Sequence, residues 1–183
     1  MLMYLLLLVA LVTIAQGAHP TGTFTLDYVH GNATASLRQC GNQMYATASE
    51  PGNKDFDFTL IDAMNGDRDS VSFQSVQNQK KSPKKYIQVV ATPGVEPNRL
   101  GVDVFNATNL NAVSFKVVGG LSNPTMFSFK AFTGEFIALT HKLEGGCASK
   151  YKAPESSDVA LVEFADLKDK ASATWRLMVP TKK

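Results

Sequence analysis

Hydrophobic and polar residues alternate in short bursts along most of this chain. Thr-Phe-Thr-Leu-Asp-Tyr-Val at 23–29, Asp-Phe-Asp-Phe-Thr-Leu-Ile at 55–61 and Val-Ser-Phe-Gln-Ser-Val at 71–76 put alternate side chains on opposite faces. The period recurs in Lys-Tyr-Ile-Gln-Val-Val at 85–90, Val-Ser-Phe-Lys-Val-Val at 113–118 and Met-Phe-Ser-Phe-Lys-Ala-Phe at 126–132. Two further runs are Glu-Phe-Ile-Ala-Leu-Thr at 135–140 and Thr-Trp-Arg-Leu-Met-Val at 174–179. A period of two carried by Val, Thr, Phe and Tyr is the signature of half-buried strands. Gly, Pro, Asn and Asp cluster between the runs, as turns require. Ser157 to Lys168 is the strongest helix candidate, yet Val159, Leu161, Glu163 and Ala165 also alternate with Ala160, Val162 and Phe164. The chain reads as all-β.

The bursts repeat. An aromatic, then Lys, Thr or Arg, then two apolar residues occurs at Phe58, Phe115 and Trp175, at intervals of 57 and 60. A small polar residue before Phe occurs at Thr23-Phe24, Ser72-Phe73 and Ser128-Phe129, at intervals of 49 and 56. Tyr86-Ile87-Gln88-Val89 has a counterpart in Phe136-Ile137-Ala138-Leu139 and a weaker one in Ser36-Leu37-Arg38-Gln39. Ser-Phe-Lys therefore appears twice within Ser114 to Lys130 because this stretch joins two repeats across a Gly-Gly and Asn-Pro turn.

Three units, about 20–66, 67–123 and 124–181, with about four strands each, are too small to bury their apolar faces alone and must share a core. Three blades are too few for an ordinary propeller. A β-trefoil fits: a pseudo-threefold fold in which six strands close a barrel, capped by three hairpins and free of exposed edges. Phe24, Phe58, Phe73, Phe115, Phe129 and Trp175 are then expected inside the barrel. An eight-stranded lipocalin is the competing reading; its early Gly-x-Trp is missing and it predicts no threefold spacing.

The first seventeen residues read as a secretory signal peptide, with an apolar block from Leu5 to Ile14 and a small-x-small site at Ala15-Gln16-Gly17. Residues 18–183 are then one secreted domain. Cys40 and Cys147, two cysteines in an oxidising compartment, are expected to form one disulfide. It would close a loop of about a hundred residues, worth up to roughly 4–5 kcal/mol; two free buried thiols are the alternative. Asn32-Ala33-Thr34 and Asn106-Ala107-Thr108 are N-glycosylation sequons. A formal net charge of +2 lacks the basic excess of a nucleic-acid binder.

From Asp69 to Pro180 the chain resembles the arabinofuranose-binding β-trefoil module of α-L-arabinofuranosidases, whose units repeat "VSFxSxNxPxxYLRH" followed by "DATFxxxxGL". Here that form is echoed by VSFQSVQNQKKSPKKYIQVV and AVSFKVVGGL, and in the third unit by FSFKAFTGEFIAL and SATWRLMVP. The resemblance implies sugar pockets built on the His of "YLRH" and the Asp before "ATF". Val89 and Leu139 stand at the His positions, and Ala112 and Ser172 at the Asp positions. Apolar or short side chains there cannot pair with furanose hydroxyls. The first unit keeps more, with Arg38 and Gln39 in the "RH" slots and Asp55 ahead of Phe58.

Other chemistry is sparse. His19, His30 and His141 lie far apart and form no metal-ligand spacing, so no metal and no cofactor is expected. Asp55 and Asp57 alternate, which on a strand would place both carboxylates on one side, the arrangement that glycoside hydrolysis could use. The same pattern marks any half-buried strand, and no catalytic residue is assigned. Lys80, Lys81, Lys84 and Lys85 surround a turn proline and form a patch for anionic glycans. Two functions follow: a secreted, monomeric, non-enzymatic lectin-like module for extracellular carbohydrate, or a secreted trefoil that binds a cell-surface protein through exposed loops as a signalling ligand or inhibitor. Neither nucleic acid nor membrane insertion is implied.

Overall fold

The computed structural model describes residues 20–30, 33–50, 52–78, 84–90, 99–104, 109–140, 157–167 and 169–180. The leader, Asn32, Asn106, Lys80, Lys81, His19, His141 and Cys147 lie outside them. Among the described residues there are twelve strands: β1 (Gly22–His30), β2 (Ala33–Cys40), β3 (Gln43–Thr47), β4 (Phe58–Asp62), β5 (Ser70–Ser75), β6 (Lys85–Val90), β7 (Arg99–Val104), β8 (Phe115–Gly119), β9 (Phe127–Lys130), β10 (Phe136–Leu139), β11 (Ser157–Val162) and β12 (Trp175–Met178). Ser157–Val162 is a strand rather than a helix. Its alternate residues Val159 and Leu161 are buried, and both of its edges are paired, with β10 and β3.

The pairing closes on itself. β1 pairs with β4, β4 with β5, β5 with β8, β8 with β9, β9 with β12 and β12 with β1, each antiparallel. Three further antiparallel pairs, β2–β3, β6–β7 and β10–β11, stand beside this ring. They are tied together by β3–β7 and β11–β3. A closed ring leaves no unpaired edge among its members. β1 serves both parts, pairing with β4 at Gly22–Phe24, with β12 at Thr25–Tyr28 and with β2 at Asp27–His30.

Large side chains fill the ring. Phe58, Phe73, Phe115, Phe129 and Trp175 are all fully buried. The Phe73 ring meets Phe129 edge-on at 4.9 Å and Phe115 at 5.6 Å, the arrangement that aromatic quadrupoles favour. Phe24 differs from the other five: it is half-buried and packs against the cluster from its margin.

The junctions between units share one design. The backbone N–H groups of Met64 and Asn65 donate to the hydroxyls of Ser72 and Ser114. Leu121 and Ser122 donate in the same way to Ser128 and Thr174. Turn amides without a ladder need other partners, so the small polar residue ahead of Phe73, Phe115, Phe129 and Trp175 supplies one. The Phe-Lys of the two Ser-Phe-Lys copies lies on β8 and β9, where Lys116 stands directly opposite Lys130.

Candidate functional site

Each closing strand of a unit is preceded by a short 3-10 turn: Lys54–Phe56, Leu110–Val113 and Lys170–Ala173. Asn53, Asn109 and Asp169 start them by accepting backbone N–H groups on their side-chain oxygens. Such local bonds are what Asx residues offer in place of a strand. This corrects the strand reading at 55–57. Asp55 lies inside the turn and Asp57 caps it, so the two carboxylates do not share a strand face.

The turn carries Asp55 to Arg38. Arg38 lies on β2, only 7% exposed, with its guanidinium 4.9 Å from the centre of the buried Phe56 ring. From there it divides its donors: Nη2 reaches Asp55 Oδ2 at 3.2 Å and Nη1 reaches Glu50 Oε1 at 2.9 Å. Asn53 Nδ2 donates to the other Glu50 oxygen at 2.8 Å, and Gln77 Nε2 to Asp55 Oδ1 at 2.7 Å. The Asn53 hydrogen bond, helped by Arg38, holds the Glu50 carboxyl below its ordinary range. Burial pushes the Asp57 carboxyl up, against the pull of Lys54.

Arg38 and Asp55 are thus brought together, and Gln39 is not. Alternation along β2 directs Gln39 elsewhere: its Nε2 donates to the Gly41 carbonyl at 2.8 Å, and its Oε1 accepts from Ser75. Glu50, Asn53 and Gln77 complete the cluster and were not singled out from the sequence. The Asx residue ahead of each closing strand, recurring as Asn53, Asn109 and Asp169, was the available signal for the turn.

The equivalent positions in the other units are closed. Val89, Leu139, Ala112 and Ser172 are all buried. The Ser172 hydroxyl donates to the Asp169 carbonyl at 2.5 Å. Of the lysine patch, Lys84 is exposed and Lys85 donates to Asn42 Oδ1 at 3.0 Å. Cys40 ends β2 and is not a free thiol. Among the described residues no His, Cys, Asp or Glu side chains are grouped as metal ligands, and no helix is long and apolar enough to cross a membrane.

No protein-family model and no curated protein matches this chain. Solved structures do. An arabinofuranosidase complexed with arabinofuranosyl-alpha-1,2-xylobiose matches with a TM-score of 0.63 at 11% identity, covering 89% of this chain and 32% of that one. The structure named BEL beta-trefoil matches at 0.58 with 13% identity, covering 88% and 95%. The Rhizoctonia solani agglutinin matches at 0.57 with 15% identity, covering 88% and 96%. A cytolethal distending toxin of Haemophilus ducreyi is also similar. At these identities the likeness concerns the fold.

Proposed function

We propose that this protein is a secreted, non-enzymatic β-trefoil module that recognises extracellular carbohydrate through its first unit. The six-strand ring with three flanking hairpins, and the likeness to a β-trefoil and an agglutinin, support the fold and the lectin-like class. In this reading Cys40 pairs with Cys147, the two sequons carry glycans outside the cell, and the protein is a monomer.

The carrying observation is the Arg38 cluster. A buried cation fixes two carboxylates that themselves reach solvent, the Asp55 side chain 23% exposed and that of Glu50 56%. Each carboxylate has about four lone-pair sites, so both retain capacity for hydroxyl donors. Fixed acceptors on a rigid scaffold are what selective polyol recognition needs. The resemblance to the arabinofuranose-binding module directs attention to neutral furanoses.

A glycan array beside a heparin column tests this. Retention of neutral furanose- or galactose-type glycans by the mature protein, lost in Asp55→Ala at unchanged fold, is the expected result. No glycan retention, together with tight binding to a cell-surface protein, replaces the reading with the protein-binding one.

A further inference from the structure

The third unit carries a different surface in the region where the first unit has its polar cluster. Phe164, in the 3-10 turn Phe164–Asp166 that follows β11, is 52% exposed. Its ring lies against buried Phe136 on β10, with centroids 6.2 Å apart. Phe136 belongs to a small apolar cluster with Ala138 and Ala173, against which Val118, Leu121, Val162 and Leu167 pack.

Two cations bracket the aromatic pair. Lys170 Nζ stands 5.4 Å from the Phe164 centroid, and Lys130 Nζ stands 5.7 Å from that of Phe136. Among the described residues neither ammonium is held in an ion pair, in contrast to Lys116, the neighbour of Lys130 on β8, whose Nζ is 3.8 Å from Asp69. A cation over a ring face gains from the quadrupole while keeping its charge available. Three successive contacts link the four groups: Lys170 to Phe164, Phe164 to Phe136, and Phe136 to Lys130.

From this strip we infer a second ligand site, distinct from the Arg38 cluster, that takes an acidic polysaccharide bearing uronate groups. The exposed Phe164 face packs against the apolar face of a sugar ring, as aromatic side chains do in apolar-lined sites. Lys170 and Lys130 meet carboxylates on that residue and its neighbour. The same turn also exposes the carboxylates of Glu163 and Asp166, which oppose any anion and oppose a densely sulfated chain more than one with a single carboxylate per sugar. Charge thus selects one acid group per sugar over heparin-like density.

Titration calorimetry of the mature protein with an oligogalacturonate, a neutral galactose oligomer of equal length, and heparin separates the outcomes. Oligogalacturonate is expected to bind best, and more weakly as salt rises. Phe164→Ala lowers that affinity about tenfold and Lys170→Gln about three- to fivefold. Phe132→Ala, removing a phenylalanine 53% exposed that makes no ring contact among the described residues, leaves it unchanged. Absence of oligogalacturonate binding, equal affinity for the neutral oligomer or heparin, or an equal loss in Phe132→Ala overturns the inference. Binding of neutral furanoses through Asp55 is read independently, so either site can fail while the other stands.

Discussion

The indole Nε1–H of Trp175 donates to the backbone carbonyl of Ile137 at 3.0 Å, joining β12 to β10, two strands with no ladder between them. Both residues are fully buried. Trp175→Phe keeps most of the apolar contact but leaves that carbonyl without its donor. A buried unsatisfied acceptor costs about 1–3 kcal/mol, to which the smaller ring adds a cavity term. Urea denaturation followed by circular dichroism is expected to show a loss of about 2–4 kcal/mol.

Arg38 is the one buried cation of the first-unit cluster, so Arg38→Met strands Asp55 and Glu50 beside each other. Removing one partner of a buried pair costs about 3–5 kcal/mol, but Glu50 is largely solvated and recovers most of its share. The expected net loss is about 2–3 kcal/mol in the unfolding midpoint analysis. Arg38→Lys restores little, because one ammonium cannot present a planar fork to two carboxylates. Full rescue by lysine would show that charge alone, without geometry, holds the cluster.

The carboxyls of Glu50 and Asp57 respond to pH with opposite signs. Glu50 is shifted down from 4.5, so the folded state prefers it ionised; its contribution is present above the unfolded value and lost as pH falls through the folded one. Asp57 is shifted up from 3.8 by burial, so its ionised form opposes folding above its folded value and that penalty disappears on acidification. Glu50→Gln is expected to flatten the acid limb of a thermal-melt series. Asp57→Asn is expected to raise the melting temperature at neutral pH and leave it near wild type in acid. A fall at neutral pH in Asp57→Asn would contradict the assigned cause.

Adjacent glycines in the junction between β8 and β9 differ sharply. A Cβ on Gly120 would lie 2.7 Å from Thr174 Cγ2 and closer still to the Asn123 carbonyl, whereas one on Gly119 meets nothing within 4 Å. Gly120→Ala therefore forces the turn apart and endangers the bond from Gly120 N to the Met126 carbonyl. The expected cost is about 1–3 kcal/mol, against less than about 0.5 kcal/mol for Gly119→Ala. Thermal melts of the two variants side by side decide this.

Much of the fold was legible because burial writes itself as alternation. The runs around Phe58, Phe115 and Trp175 have one face in the core and read clearly; β5, around Phe73, is buried throughout yet still alternates because Ser70, Ser72 and Gln74 make up its second face. β2 and β3 were harder: Ala35 to Gln39 and Met44 to Thr47 are buried without interruption, so no alternation marks them. β7 has a glycine at its middle, Gly101, and a weak strand signature. The stretch at 55–57 misled for a physical reason: Asn53 takes the Asp55 N–H onto its side chain and turns the backbone before β4 begins. Within the site, Arg38 and Asp55 could be read from their slots in the resemblance to the arabinofuranose-binding module, whereas Gln39, read with them, turns to Gly41 and Ser75. Glu50 and Gln77 could not, since they arrive from connections whose path depends on tertiary packing.

β12 is the segment that seals the ring, zipping onto β1 from Thr25–Met178 to Tyr28–Trp175. During synthesis the first strand must therefore wait, half-dressed in β2 and β4, until the final strand leaves the ribosome. Until Trp175 is made, the edge of β1 from Thr25 to Tyr28 stays open, and an open edge is where an unfinished chain pairs wrongly.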